Sequence, residues 1–146
     1  MENKTLIDKL NINLADVQVL YVKLHNYHWN IQGHFFHGIH TMTEGYYEHL
    51  AEQYDEIAER ILQINGKPLT TMKSYLEKTG IEEVEKDNFN ADDVLNGVIN
   101  DFEYLKNEFI ETSKYAEELR DLPTQALADE NIAWLEKALW MLRSSK

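Results

Sequence analysis

Every histidine of this 146-residue chain falls between positions 25 and 49: His25, His28, His34, His37, His40 and His49. Carboxylates follow at helical spacing, as Glu44, Glu48, Glu52, Asp55, Glu56 and Glu59. Imidazole and carboxylate together are the usual ligands of iron, manganese or zinc at a working metal site. The chain has no cysteine, so a thiolate site is excluded. The residues that could do chemistry are concentrated between 25 and 59.

Their spacing carries a geometric constraint. His40 and Glu44 are four apart, one turn apart on one helix face, and Asp55 and Glu59 repeat that arrangement. From Glu44 to Asp55 the helix turns by about 1100°, so both pairs point the same way, yet they lie ~16 Å apart along the axis. Ligand bonds of ~2 Å cannot join them around one ion. A two-fold axis near Leu50 resolves this, because the His40/Glu44 pair of one chain then faces the Asp55/Glu59 pair of an antiparallel copy. His28 can add a nitrogen from the His40/Glu44 side. The expectation is two identical sites at one interface, each incomplete in a monomer. The Glu-x-x-His tetrapeptide that marks bundle-centre di-iron sites is absent.

Apolar residues recur at helical spacing from Leu6 to about Ile31, and again from about Gly38 to Asn65. Gly66 is expected to supply a left-handed cap, with Pro68 as a stop. Residues 66–90 form a crossover, with a short helix over Thr71–Lys78 closed by Gly80. Asn90, Asp92 and Asp93 start a third long helix running to about Leu119. Pro123 and Thr124 open a fourth, with Leu127, Trp134, Leu135, Ala138 and Met141 on its buried face. The pattern predicts an all-α, ferritin-like four-helix bundle with a long crossover between its second and third long helices. Residues 1–146 are expected to form one domain.

Bulk properties narrow the function. Hydrophobic residues make up 43% of the chain, enough for a core and against disorder. The net charge of −12 disfavours phosphate-backbone binding and suits a protein that attracts cations. No apolar run approaches a membrane span, and the start has no secretory pattern. The lack of cysteine fits a reducing cytoplasm.

The residues also match a known pattern. His28-Trp29-Asn30-x-x-Gly33-x-x-Phe36-x-x-x-His40-x-x-x-Glu44, then Asp55-x-x-Ala58-Glu59-Arg60, resembles the Dps miniferritins, the DNA-binding proteins from starved cells. Gly66-Lys67-Pro68 and Trp140-Met141-Leu142 extend the resemblance over most of the chain. It implies a hollow homo-dodecamer with iron sites at two-fold interfaces. The ferroxidase ligands would be His28, His40 and Glu44 of one subunit with Asp55 and Glu59 of its neighbour. It further implies that hydrogen peroxide oxidises ferrous iron and that ferric oxyhydroxide is stored inside the shell, protecting the cell and its DNA. Trp29 would pack beside the site and could serve as a sacrificial reductant.

Three departures from the family pattern stand out. Glu44 replaces the Asp often found there, one methylene longer and equally anionic. No lysine-rich tail exists, which argues against direct DNA binding. Ala126 aligns with the Asp of the family's three-fold pore, leaving Asp121, Asp129 or Glu130 as candidates. Taken singly, each of those three reads rather as capping or charging a helix N-terminus. His25 reads as an interface or core hydrogen-bonder rather than a direct ligand, His34 and His37 as solvated or packing residues of the turn with secondary iron binding as the alternative, and His49 as structural. Glu48, Glu52 and Glu56 form either a solvated face or a cavity lining that nucleates mineral. The competing functions are a nucleoid coat and an inert or zinc-holding shell.

Overall fold

The computed structural model describes residues 3–146. Its helices are α1 (Lys4–Asn30), α2 (Phe36–Gln63), α3 (Met72–Lys78), α4 (Ala91–Glu118) and α5 (Leu122–Ser144). The four long helices agree with the periodicity to within about two residues at most ends. The fold is all-α and ferritin-like, with the short helix α3 inside the crossover.

Side-chain pairs fix the directions. Asn3 reaches the Ile64 carbonyl and His25 stacks on Tyr47, so α1 and α2 are antiparallel. Ser113 bonds Asp129, and Arg143 pairs with Glu103, so α4 and α5 are too. Thr112 meets Asn13 while Lys23 meets Asp101, which sets α4 antiparallel to α1. The helices therefore run up, down, down, up, and the crossover must travel the length of the bundle between α2 and α4.

The shared core is apolar. Leu10, Leu14, Leu20 and Leu24 of α1 meet Leu50, Ile57 and Ile61 of α2, and Val98, Phe102, Leu105 and Phe109 of α4, all at 1% exposure or less. Each such side chain contributes roughly 1.5–3 kcal/mol on burial. From α5, Leu135, Leu139 and Leu142 close the core. Met141, expected on that buried face, is 51% exposed. The buried stripe of α5 runs through Ala128, Asn131, Leu135, Ala138 and Leu142, which turns Met141 outward.

The helix ends follow from local chemistry. Thr71 and Ser74 form a capping box at α3, and Asn90 and Asp93 form another at α4. Asp121, ahead of the expected Pro123 start, caps α5 by accepting from the Thr124 amide. At the end of α2 the left-handed residue is Asn65 (φ 69°), not Gly66. Asn65 N–H donates to Leu62 and Gly66 N–H to Ile61, the Schellman pattern with asparagine in the left-handed place. Gly66 is small for another reason, because a Cβ there would lie 2.9 Å from Ile61 and Ile7. Likewise α3 ends at an extended Thr79, and a Cβ on Gly80 would lie 2.3 Å from the Tyr104 hydroxyl.

Polar groups of α1 pin the crossover. Asp16 accepts from the Thr79 hydroxyl at 2.7 Å and the Gly80 amide at 3.0 Å. Lys23 Nζ donates to the Glu82 carbonyl at 2.6 Å and pairs with Asp101 at 2.8 Å. Asn26 donates to the carbonyls of Val84 and Lys86. A short parallel bridge, Ile31 to Phe89, finishes the run. No helix among the described residues is long and apolar enough to cross a membrane.

Candidate metal centre

The site is built by the α1–α2 hairpin. Gly33, at φ 113°, makes the turn and accepts from the Phe36 amide, a conformation other residues adopt only with strain. The antiparallel return places His40, in the second turn of α2, against His28 near the end of α1. Their rings stack with centroids 3.6 Å apart and planes 13° apart.

The two histidines exchange hydrogen bonds with each other's backbone. His28 Nδ1–H donates to the His40 carbonyl at 2.6 Å, and His40 Nδ1–H donates to the His28 carbonyl at 2.7 Å. A carbonyl oxygen can only accept, so both rings carry their proton on Nδ1 and leave the Nε2 lone pair free. Fixing a ring in this way is how ligating histidines are oriented. Thr43, completely buried, donates to the Ile39 carbonyl and lies 3.1 Å from His28 Nδ1. Burial lowers the pKa of His28, so its ring stays neutral and able to ligate at neutral pH.

Glu44, one turn beyond His40, brings its carboxylate 4.0 Å from His28 Nε2. One ligand atom from each of His28, His40 and Glu44 lies within 4.8 Å of the others. Two nitrogens and a half-exposed carboxylate suit a hard or borderline divalent ion, with room left on the solvent side.

Asp55 and Glu59 do not join this cluster. Both are exposed, on the same helix but roughly three turns further along. His25 sits beside the site, its ring stacked on Tyr47 at 3.8 Å and 5.3 Å from Trp29. Trp29 is 67% exposed. His34 and His37 are exposed near the hairpin turn, and His49 stacks on Trp134 at 3.8 Å. Glu48, Glu52 and Glu56 are exposed on α2.

These elements, read with the known proteins they resemble, decide the family. The ferritin-like domain matches residues 7–145. The chain belongs to the Dps family of ferritin-like proteins. A DNA protection during starvation protein of Helicobacter pylori is 38% identical over 130 residues, covering 89% of this chain and 90% of that protein. A Dps crystal structure from Bacillus brevis superposes with a TM-score of 0.94 at 36% identity, covering 98% and 95% of the two chains. A Dps structure from Vibrio cholerae O1, described as a member of a broad superfamily of ferritin-like diiron-carboxylate proteins, gives 0.93 at 34% identity, covering 98% and 89%.

In this Dps chain some motif residues prove structural. Arg60, next to Glu59, pairs with Asp121 at 2.8 Å and donates to Thr124, tying the end of α2 to the start of α5. Those bonds, with the Thr124 hydroxyl and amide, hold the Asp121 carboxyl below its ordinary range despite partial burial. Asp121, one of the pore candidates, is thus engaged as a cap and ion-pair partner, while Asp129 and Glu130 are exposed. Thr43 escaped the sequence reading. Its only signal was a small hydroxyl residue one turn after His40 and one before Glu44's neighbour Tyr47.

Proposed function

We propose that the chain is an iron-storing, iron-detoxifying miniferritin whose ferroxidase sites lie between two-fold-related subunits. The observation that carries this is the pair of free Nε2 atoms on His28 and His40 converging with Glu44, in a cluster too poor in ligands to hold iron alone. Asp55 and Glu59 of an antiparallel copy supply the missing carboxylates, a reading that their spacing along α2 supports because it keeps them out of the cluster of their own chain. Membership of the Dps family supports a shell of twelve subunits enclosing a cavity.

Ferrous iron is the substrate. Imidazole and carboxylate ligands favour the harder ferric ion, which lowers the cost of oxidation. Hydrogen peroxide accepts one electron from each of two ferrous ions, and its O–O bond breaks. With two waters, the products are two ferric oxyhydroxide units and four protons. Paired transfer releases no hydroxyl radical, so DNA is protected by removing both reactants. A chain with charge −12 does not favour coating the duplex. A cytoplasmic location fits this role.

Stopped-flow oxidation of anaerobically loaded ferrous iron by peroxide tests the reading, native protein beside Asp55→Ala. Fast oxidation near two irons per peroxide, lost in the variant, is the expected result. A native rate no faster than protein-free solution sinks the enzyme reading, and a gel-shift at moderate salt with a tight DNA complex would favour a nucleoid coat.

A further inference from the structure

A third histidine is prepared in the same way as the two proposed ligands. His25 lies one turn before His28 on α1, and its Nδ1–H donates to the Tyr21 carbonyl at 2.8 Å. As at His28 and His40, the proton is held on Nδ1 and Nε2 is left with a lone pair. The ring is locked between neighbours, stacked on Tyr47 at 3.8 Å and edge-on to Tyr21 at 4.6 Å. It is only half-buried. A histidine serving packing alone has no need of an oriented, solvent-reachable nitrogen beside a metal centre.

His25 stands outside the His28, His40 and Glu44 cluster but next to it, where only a second ion could use it. The His25 and His28 ring centroids are 6.4 Å apart. Ions of a two-metal site lie about 3.5–4 Å apart, and each imidazole nitrogen binds at about 2 Å, so neighbouring ions can each take one of these rings. The chemistry needs two: a peroxide takes two electrons, and each ferrous ion gives one. Five side chains, His28, His40, Glu44, Asp55 and Glu59, are few for two ions. Glu44, half-exposed beside His28, has a second oxygen available to bridge.

We infer that His25 Nε2 is a ligand of the second iron of each site, with Glu44 placed to bridge it to the ion on His28 and His40. This rests on the ferroxidase reading above. His25 then sets the occupancy of the second position, and with it the two-electron character of the oxidation.

Cobalt(II), a redox-stable stand-in for ferrous iron, provides the test. Anaerobic titration of the native shell should give two ions per subunit. His25→Phe, which keeps a ring against Tyr47, should give one, with shell size unchanged by gel filtration. His25→Leu should give the same count, if the nitrogen and not the stack is what matters. Two ions in both variants, or one in the native protein, overturns the inference while leaving the first site standing. A native protein that binds no cobalt removes the whole centre instead. Crystals of native protein with cobalt give a check without any variant: an anomalous peak about 2 Å from His25 Nε2 supports the assignment, and peaks only at His28 and His40 overturn it.

Discussion

Helix α1 carries two sets of buried and half-buried polar residues, and they are used in opposite ways. On one face, Asp16, Lys23 and Asn26 hold the crossover, and most of the bonds they make go to residues 79–86 or to Asp101. On another face, His25 and His28 spend one ring nitrogen on a carbonyl and keep the other free. Most of these polar groups find partners, as buried ones must. Asp16 Oδ2 is left without one, but it is sealed in the core and belongs to no cluster of ligand atoms among the described residues. An unspent atom equips a residue for chemistry where it stands next to other ligands, as at His28, and not where the fold buries it alone.

That contrast can be broken at four points. The largest effect is expected at Lys23→Ala, which strands the largely buried Asp101 carboxylate and frees the Glu82 carbonyl. Breaking a buried pair from one side costs about 3–5 kcal/mol. Chemical denaturation should show that loss, while the variant that still folds keeps native iron binding. If Lys23→Ala instead abolished iron oxidation in folded protein, the two sets would not be separable.

His40→Ala should do the reverse. Peroxide-driven iron oxidation is expected to fall by at least ~100-fold, about 2.7 kcal/mol in barrier height, with a melting temperature close to native. An unfolded variant would mean that the crossed histidine bonds hold the hairpin together and that the comparison is wrong there.

Asp16 gives a pH test. Burial pushes its carboxyl up to about 6, against the lowering pull of Thr79, Gly80 and Tyr104, and nearby Glu108 pushes the same way as burial. A raised folded-state pKa favours the folded protein when the group is protonated. This contribution is complete below the unfolded value of 3.8 and is lost as pH rises through about 6. It amounts to roughly 2–3 kcal/mol. The stability of native protein relative to Asp16→Asn should therefore fall between pH 4 and 7, as read by denaturation at each pH. A constant difference would place the carboxylate in water.

The smallest effect is expected at Thr43→Val. Losing the hydroxyl costs about 1 kcal/mol of stability. If Thr43 helps hold the His28 ring, cobalt affinity also drops about tenfold, the range seen when an outer partner of a ligating histidine is removed. Unchanged affinity would leave the two carbonyls as sufficient.

The site was more legible in the sequence than the parts that support it. His28, His40 and Glu44 converge where their i, i+4 spacing and the predicted hairpin place them, and Asp55 and Glu59 stand apart as eleven residues of helix require. Periodicity also gave the four long helices, because a stripe of apolar residues at 3.6 spacing needs no partner to be recognised. Asp16, Lys23 and Asn26 gave no such signal. Polar residues on an otherwise apolar helix look like ordinary surface positions until the crossover is laid over them.

Local order thus settled what depends on a few consecutive residues: the helices, the capping boxes at Thr71 and Asn90, and the faces on which the histidines and carboxylates stand. Tertiary structure decided what depends on distant segments meeting. It gave the left-handed place after α2 to Asn65 and kept Gly66 small against Ile7, turned Met141 outward, and used Arg60 and Asp121 to join α2 to α5. It also fixed the proton of each site histidine, because a ring nitrogen's partner is a carbonyl brought in by the fold. Spacing states where an imidazole stands, and only the packed hairpin states which of its nitrogens is free.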